Sequence, residues 1–361
     1  MSFQERIDPK RFDIWRYASF YQPPVDEAHR LTLGEGWTKE LALWEDPSLS
    51  PRIRGEESGE GLRTLFLKRE DLNPLGSHKA RSLAYQISRL WAEGKKVALI
   101  PSSGNAAVAA AAYCLLAGMR LLAFVPPQIA PFKLAQLRRF GAEVIITSRA
   151  INAAKQVANK YGLVNLRPST NELSIEGFKS IAFEIYEKLG DADAIFTFVT
   201  SASSLVGIGR AFRILRDEFG VRMPQLHAVQ AGQITSIAGH FDRAPQPSGR
   251  SIVGDLGVKM TRRTEEAIAL IEESGGSGWV VSDEEIRASF AWLNRRGIDT
   301  SPEGAAALAG TFKAARKLSL GRAVCLLTGH ASGRPLEERE TKIEPVDDPR
   351  EIERIVKRLI T

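Results

Sequence analysis

Lys79 closes the run R-E-D-L-N-P-L-G-S-H-K, between a short apolar stretch and a helical pattern. Leu65–Leu67 reads as a strand. Asn73, Pro74 and Gly76 break it into a turn. Ser77 reads as the cap of a helix that starts near Lys79 and runs through Arg81, Leu83, Ala84, Ile87 and Leu90. A lysine at such a junction is partly shielded and faces the positive end of a helix dipole. Both effects disfavour its ammonium form and free an amine for Schiff-base chemistry. Taken alone, the stretch fits equally a solvated lysine in the first turn of a surface helix.

Three later stretches keep this lysine company. Ser102, Ser103, Gly104 and Asn105 fall between a strand and a helix. Small hydroxyls, a glycine and exposed amide groups at a helix start suit a carboxylate or a cofactor oxygen, or simply cap the helix. Thr200, Ser201, Ala202, Ser203 and Ser204 end a strand and begin a helix. Their backbone N–H groups and four hydroxyls can cradle an anion, or the serines can serve as a cap. Thr328-Gly329-His330 ends the last core strand, and His330 is read as a local hydrogen-bonding residue without a catalytic role.

The elements that must position these residues alternate. Lys96–Pro101, Arg120–Pro126, Ala142–Thr147 and Leu163–Leu166 read as strands, with helices at Asn105–Ala117, Pro131–Phe140 and Ala150–Tyr161 between them. A helix at Ile175–Leu189 leads to a second set. Its strands are Ala194–Thr200, Leu226–Gln230, Trp279–Ser282 and Ala323–Thr328, with helices at Leu205–Phe219, Arg262–Ser274, Asp283–Arg296 and Pro302–Lys317. Such alternation implies parallel strands with helices on both faces, in two α/β/α lobes. Ligands of such sheets bind at the carboxyl ends of strands, where all four stretches lie. Residues 1–62 read as irregular, Ser50–Gly61 as a mobile loop or hairpin tip, residues 231–260 as active-site loops, and Arg350–Ile360 as an amphipathic closing helix.

With 361 residues, 43% apolar and 25% charged, the chain is long enough for two domains around sizeable cores. Cys114 and Cys325 lie in apolar runs and read as buried thiols, with no metal or disulfide pattern, as suits a reducing compartment. Met1–Arg16 is neither a signal peptide nor a lipidation motif, and Ala106–Leu116 is too short to cross a bilayer. The net charge of +6 is scattered among acids, so no nucleic-acid partner and no membrane partner is expected. A cytoplasmic location follows from the same features.

The motifs resemble those of the fold-type II pyridoxal phosphate (PLP) enzymes, the group of threonine synthase, threonine and serine dehydratases and the tryptophan synthase β chain. E-D-L-N…G-S-H-K resembles the cofactor-lysine motif, S-S-G-N the asparagine loop, and L-T-G-H the threonine synthase motif at Thr328. L-G-E-G-W-T at Leu33–Thr38 resembles L-G-E-G-x-T-P-L, with Lys39 in place of proline. E-G-F-K-S-I-A at Glu176, P-E-G-A-A at Pro302 and S-D-E-E-I at Ser282 fit the same group. The resemblance implies that Lys79 carries PLP and acts as the base at the substrate's α-carbon. It implies that Asn105 meets the phenolic oxygen and Thr328 the pyridine nitrogen. Thr200–Ser204 would hold the phosphate, although the group's glycines are absent, and Ser102–Gly104 the substrate carboxylate. Ser174 replaces an arginine that helps threonine synthases bind substrate phosphate, and Ala106 replaces a threonine.

The expected protein is therefore a PLP-dependent lyase of amino-acid metabolism, threonine synthase-like, working by β/γ-elimination or replacement on a small amino acid. Serine/threonine dehydratase-like or tryptophan synthase-like chemistry is the enzymatic alternative. A non-catalytic ligand-binding relative is the alternative of another class. Residues 1–75 and 170–361 are expected to form a large PLP-binding domain, and 76–169 a small mobile domain with the asparagine loop that closes over the substrate. A homodimer is expected from the resemblance.

Overall fold

The computed structural model describes residues 1–44, 62–232, 235–242, 251–254, 263–330 and 344–360. The expectation for Ser50–Gly61 and parts of that for 231–260 lie outside the described residues. In chain order the main elements are β1 (Glu40–Trp44), β2 (Leu62–Lys68), α1 (Lys79–Ala92), β3 (Val97–Pro101), α2 (Asn105–Leu116), β4 (Arg120–Val125), α3 (Pro131–Arg139), β5 (Glu143–Ile146), α4 (Ala150–Tyr161) and β6 (Val164–Asn165). They continue as α5 (Glu176–Leu189), β7 (Ala194–Phe198), α6 (Ser203–Phe219), β8 (Gln225–Ala231), α7 (Thr264–Glu273), β9 (Ser277–Val281), α8 (Asp283–Asn294), α9 (Pro302–Ala315), β10 (Gly321–Leu326) and α10 (Pro349–Ile360).

Two compact units result. The first comprises Met1–Ile7, Gly36–His78 and Phe178–Ser332; the second comprises Asp8–Glu35, Lys79–Gly177 and Gly333–Thr361. The division differs from the one read from sequence at both chain ends. Residues 8–35 belong to the second unit, where Trp15, Tyr21 and Tyr85 pack as a ring cluster with the Tyr21 and Tyr85 centroids 5.3 Å apart. Helix α10 belongs there too, because Ile352 and Val356 bury against Leu99, Leu122, Phe124 and Ile145 alongside α4.

The first unit holds a six-stranded sheet of order β1-β2-β10-β7-β8-β9, parallel except for β1 against β2. Strand β1 lies in the stretch read as irregular. It is an antiparallel edge strand, and its first residue, Glu40, pairs with the buried Lys68 of β2. Helices cover both faces of this sheet. A Cβ on Gly310 of α9 would meet Val229 at 2.4 Å, while one on Gly209 of α6 would meet Leu226 and, from α7, Leu270. Leu226 and Val229 lie on opposite faces because strand side chains alternate. The second unit holds a four-stranded parallel sheet of order β5-β4-β3-β6. Parallel strands buried on both faces explain the near-continuous apolar runs of β3, β4 and β7.

Two motif glycines are packing requirements. A Cβ on Gly177 would lie 2.1 Å from the Arg81 carbonyl oxygen, and one on Gly304 would lie 2.2 Å from Thr300 Oγ1. Helix α8 starts with the reciprocal capping box that S-D-E-E implies. Ser282 Oγ accepts from Glu285 N–H, and the Glu285 carboxylate accepts from Ser282 N–H at 2.8 Å.

In the second unit Glu35 is fully buried. Its Oε2 accepts from Tyr113 and from Leu33 N–H, whereas Oε1 has no partner among the described residues. Burial pushes this carboxyl up to about 7. Its contribution to stability is therefore fully present below about pH 4.5, the unfolded value, and is lost as pH rises toward 7. A shift from 4.5 to about 7 corresponds to about 3 kcal/mol. Urea unfolding of the wild type from pH 4.5 to 8 should show this decline, and Glu35→Gln should flatten it by a comparable amount.

Candidate functional site

Strand β2 delivers the lysine segment. Two short 3-10 turns, Glu70–Leu72 and Pro74–Gly76, follow it before α1 begins at Lys79. Leu75 at φ 67° and Gly76 at φ 72° reverse the chain there. Such a turn places buried polar groups that need partners, and each finds one. Glu70 accepts from Thr38 Oγ1 and Asn73 Nδ2, both at 2.7 Å, and Asn73 Oδ1 accepts from Gly36 N–H at 2.9 Å. Gly36 and Thr38 are thus in one hydrogen-bonded cluster with Glu70 and Asn73 of the E-D-L-N motif.

The chain then runs antiparallel to the last motif. Ser77 forms a β-bridge with Gly329, and His330 N–H donates to the Gly76 carbonyl at 2.8 Å. His78 N–H donates to the Thr328 carbonyl at 3.1 Å, and His78 Nδ1 lies 2.7 Å from that same oxygen. A carbonyl only accepts, so Nδ1 carries a proton there. Behind the strand end, Gly329 O accepts from Ser301 N–H and Thr300 Oγ1, which ties the P-E-G-A-A helix start to the same point. Lys79, the half-buried next residue, begins α1. Ser77, read as a helix cap, is instead an extended bridge residue at φ −164° and ψ 159°.

In the second unit β3 ends at Pro101, and α2 begins at Asn105 with Gly104 as its N-cap. Neither serine caps this helix; Ser102 Oγ accepts from Gly104 N–H at 3.3 Å. Asn105 Oδ1 accepts from Lys133 Nζ of α3 at 2.6 Å, which leaves Nδ2 without a protein partner among the described residues. Strand β6 pairs with β3, so residues after Asn165 emerge beside the Ser102 loop. Arg167 there is half-buried, and burial lowers its pKa with no carboxylate acting on it among the described residues. Ser169 is buried, and its hydroxyl lacks a partner among them.

The Thr200–Ser204 stretch joins β7 to α6. The N-cap of α6 is Ala202 at φ 60° and ψ 3°, the left-handed region that favours glycine. No side chain caps this helix, so the serine-cap alternative is not how it starts. Ser201, Ser203 and Ser204 are buried, and Ser201 Oγ and Ser203 Oγ lie 3.1 Å apart. The Thr200 and Ser204 hydroxyls have no protein partner among the described residues. A backbone that takes the glycine conformation without a glycine holds about 1–3 kcal/mol of strain, which surrounding structure must offset.

Within the first unit, then, the fold brings the segment leading to Lys79 onto Thr328, while Thr200–Ser204 end the neighbouring strand β7. Ser102–Asn105 form a contiguous loop of the second unit. Sequence reasoning missed His78 as the link and Lys133 as the partner of Asn105. Only the histidine's place before Lys79 hinted at the first, and no pattern in the chain pointed to the second. Replacing His78 by Leu removes the imidazole bond to Thr328 and should cost about 1–3 kcal/mol of stability by chemical denaturation. His78→Asn, whose Nδ2 can donate in place of Nδ1, should recover most of it.

The sequence pattern of the "Pyridoxal-phosphate dependent enzyme" family matches residues 47–329. Threonine synthase of Methanocaldococcus jannaschii is 29% identical, covering 99% of this chain and 89% of that protein. Threonine synthase of Synechocystis sp. is 32% identical, covering 86% of this chain and 80% of that protein. Among solved structures, the O-acetylserine dependent cystathionine beta-synthase of Helicobacter pylori has a similar fold. Its TM-score is 0.66 at 21% identity, covering 84% of this chain and 95% of that one.

Proposed function

The chain belongs to the pyridoxal-phosphate dependent enzymes and is a threonine synthase-like lyase working by elimination or replacement on a small amino acid; from that premise we propose the roles of its residues. The observation that carries the assignment is the pair of hydrogen bonds from His78 to the Thr328 carbonyl, made by backbone N–H and imidazole together, which joins the lysine motif to the threonine motif. The donor chemistry fits the cofactor. Asn105 Nδ2 and Thr328 Oγ1 are polar groups without protein partners among the described residues, and no side chain caps the start of α6, which suits an anion there.

When bound, the cofactor supplies an electron sink for negative charge developing at the substrate's α-carbon. Lys79 Nζ is its attachment point and the base that moves the α-proton. Asn105 Nδ2 donates to the phenolic oxygen, and the N–H groups and hydroxyls of Thr200–Ser204 take the phosphate at the start of α6. The Thr328 hydroxyl meets the ring nitrogen. Being neutral, that hydroxyl would offer no charge to hold a proton on the nitrogen, which suits elimination or replacement. Ser102, Ser103 and Gly104 take the substrate's carboxylate. The half-buried Arg167, beside that loop and without a countercharge among the described residues, favours a substrate with a second anionic group. We assign the asparagine loop to a small domain, as the sequence implies, and a cytoplasmic homodimer as the working state, without a nucleic-acid partner.

The purified protein should show the visible absorbance of lysine-bound cofactor, discharged by borohydride. Lys79→Ala should lose both that band and all turnover, and a wild type that stays colourless with added cofactor refutes these roles. Arg167→Ala should raise KM at least about 10-fold for dianionic amino acids such as O-phosphohomoserine and leave KM for serine within about 2-fold. Equal effects on both would remove Arg167 from substrate recognition.

A further inference from the structure

Asn105 is held by a residue that lies outside every motif. Lys133 is the third residue of α3, a helix that Pro131 opens, and only 7% of its surface is exposed. Its Nζ donates to Asn105 Oδ1 at 2.6 Å. An ammonium has three donors and no acceptor, so only the amide oxygen can face it. The Nδ2 group is thereby turned the other way. An amide is nearly symmetric in shape, and without the ammonium either end fits the same space. The flipped orientation would present an oxygen lone pair, which repels an anionic ligand oxygen.

We propose that Lys133 is a positioning residue for Asn105, locking the amide so that Nδ2 is the donor offered to the cofactor's phenolic oxygen. The proposal rests on the reading of Asn105 as the partner of that oxygen. The ammonium also sets a positive charge directly behind the amide. A charge-assisted bond is about twice as strong as a neutral one, so it orients the amide more firmly than a hydroxyl would. Removing it leaves the binding energy of Asn105 to be divided between two orientations, one of them repulsive.

The test is a double-mutant cycle read by cofactor affinity. Apoprotein of the wild type, Lys133→Met, Lys133→Arg, Asn105→Ala and the Asn105→Ala/Lys133→Met pair is titrated with pyridoxal phosphate, following the visible band. Lys133→Met should weaken binding about 10-fold. Lys133→Arg, a donor-only side chain, should restore most of the loss. In the Asn105→Ala background the methionine should change affinity less than about 2-fold, because nothing is left to orient. Equal losses in both backgrounds, or no loss from Lys133→Met, overturn the proposal. Far-ultraviolet circular dichroism checks folding. If the methionine variant does not fold, Lys133→Leu, which likewise has no donor, takes its place with the same expectations. If Asn105→Ala binds the cofactor as tightly as wild type, the reading of Asn105 itself fails, an outcome distinct from the failure of the Lys133 cycle.

Discussion

One carbonyl oxygen, that of Thr328, accepts from both the backbone N–H and the imidazole Nδ1 of His78. The two residues are 250 positions apart, and most of the first unit lies in the chain between them. Closing so long a loop carries a large entropic cost that the pairing must offset. Two bonds to a single buried acceptor, flanked by the Ser77–Gly329 bridge and by His330 N–H to Gly76, do so cooperatively. Because the lysine is the next residue, the register of this short antiparallel pairing decides where its α-carbon stands. A slip of one residue would put His78 and Lys79 on exchanged faces.

Polar clusters around this pairing are nearly complete, and their completeness is what makes burial tolerable. Lys68, wholly buried at the end of β2, donates to Glu184 at 2.6 Å and to the Thr38 carbonyl at 3.0 Å, and it pairs with Glu40. An unpaired ammonium there would carry a desolvation penalty of several kcal/mol. Glu70 and Asn73 are satisfied in the same way by Thr38 and Gly36. The tight turn before Lys79 is thus supported from β1, from α5 and from the L-G-E-G segment together.

The loop before α6 takes a left-handed turn without a glycine. Ala202 adopts the left-handed conformation that glycine adopts at little cost. The glycines that do occur in the motifs of this chain serve other ends. Gly177 and Gly304 admit the Arg81 carbonyl and the Thr300 hydroxyl within 2.2 Å of where a Cβ would be. Glycine content alone is therefore a poor guide to which loop of this chain takes a left-handed turn.

The sequence by itself determined the local elements and the alternation of strand and helix. These follow from interactions within a few positions: apolar runs, Pro131 at a helix start, the Ser282–Glu285 box. It also determined the two three-layer sheets, since parallel strands joined by helices have few other arrangements. Strand β1 escaped notice because an edge strand is recognised by the partner it pairs with, in this case β2. Only the tertiary structure decided that His78 ties to Thr328, that Lys133 donates to Asn105, and that the C-terminal helix packs on the second sheet. Each of those depends on contacts across tens to hundreds of residues, which no local pattern encodes because many different partners satisfy the same buried donor or the same apolar face.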